Sequence, residues 1–270
     1  MRAVAANLDG ARVLLTGASG GIGNAIARAL HERGAALVIT GRRVEALEEL
    51  KDSLGARVEV LQADLAERSD VEALPGRAGH VDVLVANAGL PGSGSLDGFR
   101  PEEIDRAIDV NLRAPMQLAR ALLPAMVERG RGHLVFVSSI AGKVPAAGST
   151  VYSATKFGLR GFGLSLHDEL HGTGVGSTTV FPGFISEAGM FADSGVKLPA
   201  MVGTKPVGEV ADAVIEGIEK NRAEIDVAPL AVRGAAKLAG AAPAAVTAVN
   251  RRFGGRTVAD DLADAQREKR

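Results

Sequence analysis

Tyr152 and Lys156 stand four residues apart in the run Tyr152-Ser153-Ala154-Thr155-Lys156, a spacing that stacks both side chains on one face of a helix. A free phenol ionises near ~10, too high for proton transfer at neutrality. An ammonium group beside it favours the phenolate and lowers that value, so the pair makes an acid–base group suited to a carbinol proton. Ser139 lies 13 residues before Tyr152, at the end of an apolar run, where its hydroxyl would polarise a substrate oxygen. Tyr152 is the single tyrosine of a chain without tryptophan, so phenolate absorbance reports on it alone. Its titration is expected well below ~10, rising when Lys156 is replaced. A Tyr-x-x-x-Lys pair also occurs on ordinary exposed helix faces, and the surrounding chain has to discriminate.

A second cluster precedes it. Thr16-Gly17-Ala18-Ser19-Gly20-Gly21-Ile22-Gly23 follows an apolar run and opens a helical pattern. Backbone N–H groups at such a helix start cradle a phosphate, and glycines allow the tight turn and the close approach. No Gly-Lys-Ser/Thr ending is present, which disfavours a P-loop. Gly17-Ala18-Ser19-Gly20-Gly21 also fits the nucleophile elbow of hydrolases, but that reading leaves Ser139, Tyr152 and Lys156 without a purpose. The next apolar run ends Ile39-Thr40-Gly41-Arg42-Arg43. It offers no carboxylate for a ribose 2′-hydroxyl. Two guanidinium groups stand there instead, suited to a 2′-phosphate through charge-assisted bonds of roughly 1.5–3 kcal/mol each. NADP(H) is favoured over NAD(H); the bland alternative makes Arg42 and Arg43 solvated residues at a helix start. His167 and His171 lie at i and i+4, but Asp168 follows the first histidine and no third ligand is evident, so no metal is expected.

These residues need elements to hold them. Apolar runs at Arg12–Thr16, Ala36–Thr40, Val58–Gln62, Val81–Ala86, His133–Ser138, Gly176–Phe181 and Glu224–Val227 alternate with helical patterns. The helices are expected at Gly23–Arg33, Val44–Leu54, Ser69–Leu74, Pro101–Arg129, Tyr152–His171 and Pro206–Lys220. Strands apolar nearly throughout are buried on both faces. The alternation predicts an α/β chain: one doubly wound Rossmann-fold domain with a central parallel sheet and helices on both faces. Residues 1–227 are expected to form the dinucleotide-binding and catalytic domain. Residues 228–270 are expected as a helical C-terminal extension on the same domain or a partner subunit: one or two surface helices and a frayed tail or, as the sharper alternative, an amphipathic helix, Ala231–Leu238 or Ala244–Phe253, that packs on a partner subunit or a membrane surface. The 270 residues carry 31 Lys and Arg against 32 Asp and Glu, and no cysteine. That balance excludes an electrostatic case for nucleic acid, and the missing cysteines exclude disulfides and thiolate chemistry. No signal peptide or membrane-spanning run is evident, and a cytoplasmic protein is expected.

The chain resembles a short-chain dehydrogenase/reductase from about Leu8 to Val227. The pieces that carry the likeness are Thr16–Gly23, Asp64-Leu65, Ala86–Gly89, Asn111, Ser139, Tyr152–Lys156 and Pro182-Gly183. The resemblance implies that Tyr152 is the catalytic acid or base. It implies that Lys156 lowers its pKa and binds the nicotinamide ribose, that Ser139 stabilises the reacting oxygen, and that Asn111 holds a relay water. It places the cofactor against Thr16, Gly17, Ser19, Gly21, Ile22 and Gly23, with Arg42 and Arg43 at the 2′-phosphate. Asp64 and Leu65 would meet adenine, Asn87, Ala88 and Gly89 the adenosine ribose, and Pro182, Gly183 and Ile185 the nicotinamide. Three positions depart from the family. Ala86 replaces the first of two asparagines, Gly20 stands where NADP enzymes often have a basic residue, and Glu187 stands where a threonine often holds the carboxamide, leaving Ser186 or backbone groups to replace it. Pro91–Ser95 reads as a loop near the substrate, and the apolar, glycine-punctuated Phe184–Lys205 as a lid over a lipophilic one. The expected reaction interconverts a ketone or aldehyde and an alcohol in a homodimer or homotetramer. The alternatives are a 3-oxoacyl-thioester reductase and a non-catalytic NADP(H) sensor.

Overall fold

The structure is a computed structural model that describes residues 7–196, 203–242 and 264–266. Seven strands, β1 (Arg12–Thr16), β2 (Ala36–Gly41), β3 (Val58–Gln62), β4 (Val83–Ala86), β5 (Gly132–Val137), β6 (Val175–Pro182) and β7 (Glu224–Val227), form one sheet in the order β3-β2-β1-β4-β5-β6-β7. Every pairing is parallel. Strand side chains alternate between faces, and the core divides accordingly. Val13 and Leu15 of β1, Leu37 and Ile39 of β2, and Val135 and Val137 of β5 pack on one side. Leu14, Val38, Leu134 and Phe136 pack on the other.

Helices cover both faces. On the first lie α1 (Gly21–Glu32), α2 (Val44–Leu54) and α7 (Val207–Lys220), contributing Ile26, Leu30, Leu47, Leu50, Val210 and Val214. On the second lie α3 (Arg68–Ala78), α5 (Ala114–Glu128) and α6 (Thr150–Glu169), contributing Val71, Leu74, Leu118, Met126, Leu159 and Leu166. The chain winds outward from β1 to β3 and then restarts beside β1 at β4. The crevice at that reversal, beyond the carboxyl ends of β1 and β4, is where such sheets bind ligands.

The expected single helix Pro101–Arg129 is three pieces. α4 (Pro101–Ile108) runs into a π turn, Asp109–Arg113, and then into α5. The Ala114 N–H bonds the Asp109 carbonyl, five residues back. Pro115 supplies the physical reason: it has no N–H for the Asn111 carbonyl four residues before it, so the regular ladder cannot close there. α3 runs past Leu74 to Ala78, with Pro75 inside it. In the C-terminal extension α8 spans Leu230–Ala241, burying Ala236 and Ala239 and exposing Leu230 and Leu238. The alternative helix at 244–253 lies outside the described residues. His31, His80 and His133, without partners in the sequence reading, bond Ala56 O, Asp82 and the Thr178 hydroxyl.

Candidate active site

The glycine loop is built by close approach. Gly17 has φ +68, and a Cβ there would come within 2.7 Å of Ala88 Cα. A Cβ on Gly23 would collide with the Gly17 carbonyl. The loop is stapled to the sheet by Gly17 N–H donating to Thr40 O (2.9 Å). The Asn87 amide donates to Thr16 O (3.1 Å) and Gly17 O (3.2 Å), and the Thr16 hydroxyl accepts from the Asn87 and Ala88 N–H groups. Thr16 and Asn87 therefore brace the β1–β4 crevice with their side chains. α1 starts at Gly21, and its leading N–H groups have no carbonyl within the helix to bond.

Arg43 donates to the Ser19 carbonyl at 2.5 Å, fastening the start of α2 to the glycine loop. Arg42 is exposed and lines a cleft of about 410 Å³ with Gln62, Asp64, Asp70 and Arg77. Asp64 is held by its neighbours: its N–H donates to Asp70 and its carboxylate accepts from Ala66 N–H and faces Arg106 at 3.8 Å. Leu65 is buried beside them. Arg77, which donates to Gln62 O, was missed by sequence reasoning. It sits 35 residues from Arg42, and only α3 folding against β3 brings the two to one cleft.

The catalytic candidates converge at the ends of β4 and β5. Asn111, fully buried in the π turn, accepts from Leu90 N–H (2.7 Å) and donates to Leu90 O (3.0 Å) and to the Thr155 hydroxyl (3.3 Å). It thus ties the strand β4 exit to α6. A Cβ on Gly89 would lie 3.4 Å from Asn111 Oδ1 and 3.6 Å from Lys156 Nζ, so Gly89 separates those two groups. Lys156 is buried and donates to Val137 O at 3.0 Å. Its Nζ lies 5.7 Å from the Tyr152 ring centre. Ser139 opens a short 3-10 turn, accepting Ala141 N–H and donating to Pro182 O at 3.4 Å. Gly92 packs on the Tyr152 backbone, where a Cβ would sit 2.9 Å from its nitrogen, and Gly94 donates to Gly148 O. The loop after β4 therefore walls the site.

The family model for short chain dehydrogenases matches residues 11–197. The chain belongs to the short-chain dehydrogenase family. It is an NAD(P)-dependent oxidoreductase acting on CH–OH groups. It is 38% identical over 227 residues to ketoacyl reductase HetN of Nostoc, a match covering 82% of this chain and 79% of that protein. It is 43% identical over 178 residues to the NADP-dependent 3-hydroxy acid dehydrogenase YdfG of Salmonella typhi, covering 64% and 72%. Among solved structures, the short-chain dehydrogenase of Sphingobium yanoikuyae in complex with NADPH superposes with a TM-score of 0.74 at 33% identity, over 86% of this chain and 93% of that one.

In this dehydrogenase the acid–base pair differs from the expectation of a lowered phenol. Burial pushes Tyr152 up to about 12, although its hydrogen bond with Ser139 pulls the other way. Burial also pulls Lys156 down to about 8. The ammonium is directed at the Val137 carbonyl; Lys156 is buried and Tyr152 half-buried, and loss of water drives each towards its neutral form.

The departures from the family also resolve into contacts. Glu187 accepts the Val207 N–H, capping α7. The Ser186 hydroxyl donates to Lys205 O. Ile185 is buried and bridges Lys205, and Gly183 packs on Ala228. Residues 188 and 189 of the expected lid lie against the glycine loop and the start of α1. A Cβ on Gly21 would collide with Ala188, and one on Gly189 would lie 3.0 Å from Ile22. Phe184 and Phe191 meet edge to face at 4.9 Å. Leu198, Met201 and Val202, expected in the lid, lie outside the described residues. His167 is turned to the Ser177 carbonyl and His171 is exposed. Among the described residues no cluster suited to a metal ion is present, and no helix is long and apolar enough to cross a membrane.

Proposed function

We propose that the chain interconverts a lipophilic ketone or aldehyde and its alcohol with NADP(H), using Ser139, Tyr152, Lys156 and Asn111. The observation that carries this is the convergence of the four side chains at the ends of β4 and β5: Lys156 Nζ lies 5.7 Å from the Tyr152 ring centre, and Asn111 reaches Thr155 of the same helix. The cofactor fits the residues present. The close-packed glycine loop opens α1 for the pyrophosphate, and Arg42 faces the cleft beside Asp64, where a 2′-phosphate and adenine belong. The NADP-dependent relatives support the same choice. When bound, the nicotinamide supplies or takes the hydride.

In reduction the Tyr152 phenol gives its proton to the nascent alkoxide oxygen, and the Ser139 hydroxyl donates a hydrogen bond to that oxygen. Lys156 stabilises the phenolate left behind and draws a proton back through the Asn111 side of the pocket. In oxidation the same groups run in reverse. The apolar Phe184, Ile185 and Phe191 of the lid favour a lipophilic substrate. A 3-oxoacyl thioester is the second reading, favoured by likeness to ketoacyl reductase HetN. Exposed Ile108, Met116 and Phe157 on α4, α5 and α6 support self-association through those helices.

The test is NADPH oxidation across lipophilic ketones, aldehydes and a 3-oxoacyl thioester, followed by NADP⁺ with alcohols. Turnover with NADPH over NADH is expected, and Tyr152→Phe should lower kcat by roughly 10²–10⁴-fold with NADPH affinity retained. NADPH binding without turnover on any member would make the chain a sensor, and near-normal kcat in Tyr152→Phe would overturn the mechanism.

A further inference from the structure

Four charged side chains that no catalytic step uses form a cluster beside the site. Lys143 Nζ bonds Glu224 Oε2 at 2.9 Å and Asp226 Oδ1 at 2.6 Å, and its side chain is only 7% exposed. Arg160 bonds the other Glu224 oxygen at 2.7 Å. Both cations border one ring: Lys143 Nζ stands 3.9 Å and Arg160 Cζ 5.9 Å from the centre of fully buried Phe181. Burial opposes ionisation of Glu224, but its bonds to Arg160 and Lys143 prevail and hold it below the usual carboxylate range. Such pairs bring little net stability, because desolvation offsets much of the attraction. Their geometry is what they contribute.

That geometry joins the two carriers of Ser139 and Tyr152 to the end of β6. Lys143 closes the turn that Ser139 opens, through Gly142 N–H to Ser139 O (2.8 Å) and Lys143 N–H to Ile140 O (2.9 Å). Arg160 lies on α6, one turn beyond Lys156 and two beyond Tyr152. Phe181 pairs in register with Asp226 and precedes Pro182, whose carbonyl accepts the Ser139 hydroxyl. Glu224 and Asp226 stand two residues apart on β7, so both point to this face. The common anchor on the edge strand thus holds the Ser139 turn, the Tyr152 helix and the end of β6 at once.

We propose that the Lys143–Glu224–Asp226–Arg160 cluster sets the Ser139 hydroxyl against the Tyr152 phenol, with Lys143 and Arg160 as positioning residues. None of the four touches the reacting atoms. The proposal rests on the reading of Ser139 and Tyr152 given above.

The experiment replaces Lys143→Met and, separately, Glu224→Gln, each alone and in a Ser139→Ala background. It reads kcat, KM, NADPH affinity and the tyrosine band of the near-ultraviolet circular dichroism, which Tyr152 alone supplies. Lys143→Met should lower kcat about tenfold, within the range a misplacement of roughly 1 Å produces, and should change the tyrosine band. NADPH affinity should stay within about twofold, the limit set by additivity for uncoupled sites. Without the Ser139 hydroxyl the same replacement should cost less than about twofold. Equal losses in both backgrounds, or an unchanged kcat and tyrosine band, would overturn the proposal. Where Lys143→Met fails to fold, Glu224→Gln, which keeps the side-chain shape and removes the charge, carries the same readings. The dichroism needs no substrate, so a chain that turns over no carbonyl still tests the clamp, while the function itself is judged by the substrate panel.

Discussion

Tyr152 and Lys156 show how far residue types alone carry a chemical argument. Their spacing put them on one helix face, and they are there. The sign of the phenol shift was not readable from spacing, because it depends on how much water the fold leaves around each group. Lys156 spends a hydrogen bond on Val137 O, and burial dominates both groups. Absorbance titration of the single tyrosine is therefore expected to give a midpoint above 10, near the 12 that burial imposes. A midpoint well below 10 would restore the lowered phenol. The linkage has a definite sign. Lys156 falls from 10.5 to about 8 on folding, so between those values the unfolded chain binds more protons and stability rises with pH. Lys156→Met should flatten that rise in denaturant unfolding measured at pH 8 and pH 10. Tyr152 contributes stability present below pH 10 and lost as pH climbs through about 12.

At the scale of elements, the strands and most helices followed from period and turn signals. The π turn around Asn111 did not, although its cause is local: a proline four residues beyond an asparagine. Pro115 denies the Asn111 carbonyl its donor, the turn widens, and the asparagine amide reaches Leu90 and Thr155. Wide turns of this kind often mark functional sites. Pro115→Ala restores an N–H, so the turn is expected to tighten. Thermal stability should hold or rise, since an interior proline is unfavourable in a helix. kcat should fall about tenfold as Asn111 moves, by the same sensitivity to position. Protection from hydrogen exchange of the new amide that Pro115→Ala introduces, with kcat unchanged, would show that the π geometry is dispensable.

Over the whole molecule, the long-range contacts carry what the pattern left open. Gln266, near the end of the chain, is buried and donates to the Met190 carbonyl at 3.0 Å. The start of the extension touches the site too, through Ala228 on Gly183 and Pro229 near Gly203. The expected C-terminal extension thus includes a contact on the segment after β6, which itself meets the glycine loop at Ala188 and Gly189. A chain ended at Ala242 is expected to keep its sheet by far-ultraviolet dichroism. It should be cut faster between residues 184 and 196 in limited proteolysis, because local opening tracks the loss of anchoring contacts. Equal cleavage rates would show that Gln266 contributes nothing to the lid.

The sequence by itself determined the family, the parallel sheet, the glycine loop and the positions of Ser139, Asn111, Tyr152 and Lys156. Each of these is written in short-range spacing, in periods of two or 3.6 residues and in glycines that no Cβ may replace. Only the tertiary structure decided which arginine faces the cleft, what Glu187 and Ser186 bond, which way the phenol is driven and what clamps the Ser139 turn to β7. Those outcomes depend on groups tens of residues apart being brought into contact and stripped of water together. Burial and partner choice are properties of the packed sheet, and no local pattern encodes them.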